Sequence, residues 1–137
     1  MIMNEDYCSY ELALKLKACG FDEPCDHYYT PNKVMRIAKD NALAPEITNN
    51  RFLDEIDDGC CTAVPLWHAQ KWLREKKGIA INVIAHDGGL YDYDIVFLPN
   101  AIETENIPDR SPWCRTYEEA LSEGIDSALE LIEQENK

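Results

Sequence analysis

The sequence predicts an α+β fold, a small and mainly antiparallel sheet with about three helices packed on it. Alternating apolar residues over 79–85 and 91–98, around a turn at 86–89, predict a β-hairpin. Helical patterns with capping residues precede and follow this hairpin, and no βαβ repeat is visible. A length of 137 residues suits one domain, so we expect a single domain over residues 1–137.

The first helix is marked at both ends. Ser9 is a good N-cap, and Glu11 places a negative charge in the first turn, where the helix dipole favours it. Gly20 suits the position after the last turn, and Phe21 is placed to pack back onto the helix. We therefore expect a helix from Ser9 to Cys19.

The next segment predicts a short hairpin followed by a loop. Residues 27–29 and 33–38 flank Thr30-Pro31-Asn32, which is a turn signal. Apolar residues in 33–38 are available for burial. Residues 40–50 contain Pro45 and many polar residues and indicate a loop, and residues 52–56 fit either a helical turn or a strand.

Residues 64–78 predict the second helix. Pro65 suits its first position, because the missing N–H has no partner there, and Gly78 ends it. One face is apolar or amide-bearing and consists of Leu66, Ala69, Gln70 and Leu73.

The last helix opens with a capping box formed by Thr116 and Glu119. Its apolar stripe consists of Tyr117, Leu121, Ile125, Ala128 or Leu129, and Ile132. Gly124 interrupts this helix, and a glycine in a helix interior costs about 1 kcal/mol relative to alanine. We therefore expect the helix to approach the sheet closely at Gly124.

The net charge of −13 excludes some classes of partner. There are 26 acids against 13 bases, which argues against non-specific nucleic-acid binding and against an anionic membrane surface. Residues 40–58 and 103–137 carry −12 of this charge. This acidic surface predicts a protein partner with a basic surface, although acidic residues also serve simple solubility.

The cysteine spacing predicts neither a metal site nor a disulfide framework. No C-x-x-C pair occurs, and residues 1–10 carry no basic start or apolar run of a secretory leader. We expect reduced thiols in a cytoplasmic protein. The six cysteines are Cys8, Cys19, Cys25, Cys60, Cys61 and Cys114.

No motif for phosphate binding, serine hydrolysis or zinc proteolysis is visible. A cysteine nucleophile with His68 or His86 as base, and a carboxylate pair at Asp92 and Asp94, remain as alternatives. We expect a non-catalytic protein without catalytic residues or cofactor. Its oligomeric state is open.

Aromatic and basic residues predict the candidate binding site for a partner or a small anionic, nucleotide-like ligand. Core packing explains Trp72, Tyr91 and Tyr93 equally well. The candidate residues are Trp67, His68, Lys71, Trp72, Arg74, Tyr91 and Tyr93.

Three segments together, residues 10–21, 65–79 and 117–132, resemble a family of small proteins of unassigned activity from phages and mobile elements of gut Bacteroidales. The resemblance covers about half of the chain, and the tryptophan-bearing segment 65–79 is its most specific part. It implies an accessory protein made in a bacterial cytoplasm, such as an anti-defence protein, and it transfers no catalytic residue.

Overall fold

The computed structural model describes residues 6–38, 48–57, 59–99 and 113–135. The chain divides into two compact units, Met1–Pro65 and Leu66–Lys137. The described elements are four α-helices, a three-stranded antiparallel sheet and a two-stranded antiparallel sheet. The predicted α+β class is therefore confirmed, while the single domain over residues 1–137 stays a prediction.

Helix α1 spans Tyr10–Ala18 and has the predicted caps. The Ser9 hydroxyl accepts a hydrogen bond from the Leu12 backbone N–H at 3.1 Å. Gly20 has a φ of +98°, and the Phe21 N–H donates to the Leu16 carbonyl at 2.9 Å. This pairing is the Schellman ending of a helix, which glycine makes accessible because it has no Cβ.

The sheet of the first unit has the order β2-β1-β3, with β1 at His27–Tyr29, β2 at Met35–Ile37 and β3 at Cys61–Thr62. The predicted hairpin is β1 and β2, and β3 adds a third antiparallel strand opposite Tyr28 and Tyr29. The three large apolar side chains of this hairpin arm are not buried as the sequence suggested. They are exposed, and they are Val34 just before β2 and Met35 and Ile37 on β2.

Helix α2 spans Asn50–Ile56, so the segment that fitted either a turn or a strand is helical. Most of the predicted loop, residues 40–47, lies outside the described residues, and Asn50 already belongs to the helix. The Asn50 side chain is buried, and both ends of its amide are hydrogen-bonded. The amide nitrogen donates to the Phe21 carbonyl at 2.7 Å, and the amide oxygen accepts from the Thr62 N–H at 2.9 Å. This side chain ties α2 to β3 and to the end of α1.

The second unit begins with helix α3, Leu66–Trp72, which passes into a π-helical turn at Leu73–Lys77. Pro65 lies just before the helix rather than at its first position, and it pairs with Tyr7 in an isolated β-bridge. Gly78 ends the segment with a φ of +69°. The buried side chains of α3 and the turn are Leu66, Ala69, Trp72 and Leu73.

The predicted hairpin consists of β4, Ile79–His86, and β5, Leu90–Phe97, paired in register from Ile79 with Phe97 to His86 with Leu90. Two glycines with positive φ, Gly88 and Gly89, form the turn. Cys114 adds one more antiparallel bridge on the free edge of β5, opposite Tyr91.

Helix α4, Tyr117–Glu135, packs on both strands of the hairpin. A Cβ built at Gly124 would lie 2.6 Å from Ile81 Cγ2 and 3.3 Å from the Tyr93 ring, so the close approach predicted there is confirmed. The Tyr93 hydroxyl forms a hydrogen bond with Ser127 at 2.7 Å. Within the described residues, no helix is long and apolar enough to cross a membrane.

Candidate functional site

Three of the predicted site residues lie on the outer side of α3. Trp67 is 55% exposed and stacks on His68 with ring centroids 5.1 Å apart and an interplanar angle of 15°. Lys71 is exposed one helical turn after Trp67, so both side chains leave the same face. Because Leu66 and Ala69 fill the opposite, buried face, Trp67 is left in solvent.

Trp72 and Arg74 occupy different environments. Trp72 is 5% exposed, and the Lys77 ammonium lies 5.4 Å from the centre of its ring, where a cation–π contact forms. Arg74 is exposed in the π-helical turn. The basic end of this segment therefore already covers Trp72, and the indole is buried.

The two predicted tyrosines lie on β5. Tyr93 is 2% exposed and belongs to the core beneath α4. Tyr91 is half-buried and meets Tyr117 edge-on with ring centroids 6.3 Å apart. The structure thus brings Trp67, His68 and Lys71 together at the surface and places Trp72 and Tyr93 inside. The binding role of the seven predicted residues stays a prediction.

The outer side of α4 is acidic and begins beside two exposed aromatic residues. Trp113 is 55% exposed and packs edge-on against His86 with ring centroids 4.4 Å apart, and Tyr117 is 44% exposed. Residues 113–134 contain a single base, Arg115. The six acids of this segment are exposed or half-buried, and they are Glu118, Glu119, Glu123, Asp126, Glu130 and Glu133.

A thiol and two carboxylates meet at the start of α4. Cys114 is held by two backbone hydrogen bonds with Tyr91, both 2.8 Å long. Glu119 and Glu123 are one helical turn apart, and the ligand atoms of all three residues lie within 4.8 Å of one another. The Cys114 thiol is 2% exposed and donates to Glu123 Oε2 at 3.1 Å.

Burial raises the pKa of the Cys114 thiol to about 12, and the Glu123 carboxylate adds to the effect. The sequence reasoning missed this cluster, because nothing indicated that Cys114 would lie beside α4. The available signal was the spacing of Glu119 and Glu123, which places two carboxylates on one helix face.

The other five cysteines are also buried thiols that form no disulfide. Burial raises the pKa of Cys8, Cys25 and Cys61 to about 12 in each case. The thiolate is the nucleophilic form, and these environments suppress it. They argue against the alternative of an activated cysteine nucleophile at these three positions.

Comparisons with protein-family models, with curated proteins and with solved structures find no match to this chain.

Proposed function

We propose that this chain is a non-catalytic accessory protein of a phage or mobile element that acts by binding a protein with a basic surface. The outer side of α4 is the contact surface. The observation that carries the proposal is that this acidic helix face adjoins two exposed aromatic side chains at its start, Trp113 and Tyr117.

Charge and aromatic exposure support the same kind of partner. Carboxylates on one face attract Lys and Arg side chains and accelerate association with a basic surface. Exposed Trp and Tyr are frequent anchors of protein interfaces, and their ring faces also attract cations. The phage or mobile-element setting rests on the resemblance of three segments, and the acidic helix is part of it.

The test compares charge-reversal variants in an affinity capture from a Bacteroidales host lysate, followed by binding of the purified captured protein. We expect the parent chain to retain a basic protein at low salt and to lose it at high salt, because exposed charges are screened. The double variant Glu118→Lys, Glu130→Lys removes binding. Both residues are exposed on α4.

A matched control reverses two exposed acids elsewhere, as Glu55→Lys, Glu75→Lys. The control has the same net charge as the α4 variant, so it separates a local contact from bulk charge. Equal loss of binding in both variants, or no retained protein at any salt concentration, contradicts the proposal.

The alternative is sequestration of a small, nucleotide-like anion at the outer side of α3. Trp67 favours it, because an exposed indole stacked on His68 with Lys71 one turn away offers a flat surface and a cation to a planar phosphorylated ligand. Native mass spectrometry of the protein purified from cells then detects a bound nucleotide. The double variant Trp67→Ala, Lys71→Ala abolishes this binding. Full affinity in that variant excludes this surface.

A further inference from the structure

We propose that Cys114, Glu119 and Glu123 form a binding site for one divalent metal ion of the zinc class. The three residues come from two chain segments. Backbone pairing with β5 fixes Cys114, and α4 fixes the two glutamates. Their ligand atoms already lie within 4.8 Å of one another.

The geometry is close to what a tetrahedral ion needs. Metal–sulfur and metal–oxygen distances of about 2.3 and 2.0–2.2 Å place tetrahedral ligand atoms roughly 3.5 Å apart. The Cys114 sulfur and the Glu123 Oε2 are 3.1 Å apart, which is within about 0.4 Å of that separation. Glu119 is exposed, and its flexible side chain supplies the remaining movement, which is at most about 1.3 Å from the 4.8 Å limit to the tetrahedral separation.

The ligand types select the metal class. A buried sulfur ligand favours zinc and its soft neighbours over magnesium and calcium, which prefer oxygen alone. Neither Glu119 nor Glu123 forms an ion pair with a described residue, so two carboxylates lie close to each other and to Cys114 with no cation beside them in the described part of the chain. Metal binding replaces the thiol proton, which leaves to solvent, and the fourth position is filled by water.

The proposed metal site depends neither on the protein partner nor on the Trp67 surface. It also differs from the sequence prediction of no metal site, because the spacing of ligands along the chain shows nothing of a cysteine and a helix that meet in the fold. The two glutamates belong to the acidic face of α4, so a bound cation also lowers the negative charge at the start of that face.

The experiment titrates the full-length protein with Co²⁺ and follows the thiolate-to-cobalt charge-transfer band and the visible bands of tetrahedral Co²⁺. We expect one equivalent to bind with both signals, and Zn²⁺ to displace it. Cys114→Ser removes the charge-transfer band. Glu119→Gln and Glu123→Gln each weaken Co²⁺ binding by at least about tenfold, since even outer-shell partners have effects of that size.

Glu75→Gln is the matched control, because Glu75 is an exposed acid of the second unit that lies outside α4 and outside the cluster. Its Co²⁺ affinity should stay within about twofold of the parent, the shift that general electrostatics allows. Circular dichroism of each metal-free variant verifies that it folds, and the two glutamate variants decide the question if Cys114→Ser does not. Absence of the charge-transfer band, its persistence in Cys114→Ser, or parent affinity in both glutamate variants overturns the site.

Discussion

Gly124 is the point where α4 comes closest to the hairpin, and replacing it with alanine tests the packing of the second unit. The new Cβ would lie 2.6 Å from Ile81 Cγ2, and two Tyr93 ring atoms lie at 3.3 Å. Carbon atoms in contact prefer about 3.5–4.0 Å, so the helix or Ile81 must move by roughly 1 Å. Both neighbours are 2% exposed and packed, which leaves them little room.

The expected magnitude is a balance of two opposing contributions. Overpacking of a dense core costs about 1–3 kcal/mol. Alanine in a helix interior regains about 1 kcal/mol relative to glycine. We therefore expect Gly124→Ala to lower the free energy of unfolding by roughly 1 kcal/mol, and by no more than about 2 kcal/mol.

Urea unfolding followed by tryptophan fluorescence measures this change selectively. All three tryptophans, Trp67, Trp72 and Trp113, belong to the second unit. If the slope of the unfolding free energy against urea concentration is unchanged, the shift of the midpoint reports a change in stability. Ser122→Ala, on the same helix, is the control for helix propensity and is expected to raise stability slightly.

A double-mutant cycle decides whether the clash with Ile81 is the cause. Ile81→Ala removes Cγ2, so in that background only the milder Tyr93 contacts at 3.3 Å remain and Gly124→Ala becomes neutral or stabilising. The coupling between the two substitutions should be about 1–3 kcal/mol, within the range for residues in contact. A coupling below about 0.5 kcal/mol, the scatter of independent sites, refutes the packing argument.

Four further predictions concern the first unit. Asn50→Ala leaves the Phe21 carbonyl and the Thr62 N–H without their partner, so we expect a loss of about 2–4 kcal/mol in denaturant unfolding followed by circular dichroism. Gly20→Ala meets no atom within 4 Å but forces alanine to a φ of +98°, so thermal unfolding should show a purely backbone cost of about 1–2 kcal/mol. At pH 8 the thiolate fraction of Cys8, Cys25 and Cys61 is about a thousandfold below that of a thiol with a pKa of 9.0. Iodoacetamide should therefore modify these cysteines far more slowly in the folded chain than in the urea-unfolded chain. Peptide mass spectrometry measures the extent of modification. Because the folded state keeps these protons where the unfolded state loses them, their contribution to stability is complete below pH 9 and declines as the pH rises towards 12.

Each of these predictions has a distinct contradictory result. Parent stability of Asn50→Ala would mean that water or a neighbouring group replaces both bonds. A Gly20→Ala variant as stable as the parent would contradict the left-handed ending of α1. Rapid labelling of Cys8, Cys25 and Cys61 in the folded chain, or constant stability from pH 9 to 12, would contradict their protected state.

Local signals predicted much of the fold. The hydroxyl of Ser9, the missing Cβ of Gly20 and the capping box at Thr116 act within a few residues of themselves, so their effect is visible in the sequence. Alternation over the second hairpin is equally local. The sequence also indicated the role of Gly124, because glycine is unfavourable inside a helix unless a neighbour leaves no room for a Cβ. That neighbour is Ile81.

The candidate sites were less predictable. Trp67 and Trp72 are five residues apart on one segment, yet one is 55% and the other 5% exposed. The π-helical turn after Trp72 left no distinct pattern in the sequence, and it changes which way the following side chains face. The exposure of Met35 depends on how the turn before β2 directs the strand. The contact of Cys114 with Glu123 depends on the packing of a chain segment against a helix.

The sequence by itself therefore determined most of the helices and strands, several of their ends and the concentration of negative charge. Only the tertiary structure decided which aromatic residues face solvent and which polar groups meet. The physical reason is the distance along the chain over which each effect acts. Capping, glycine conformation and hydrophobic periodicity act over about one helical turn. Burial and the approach of Cys114 to Glu119 and Glu123 arise from packing between separate elements.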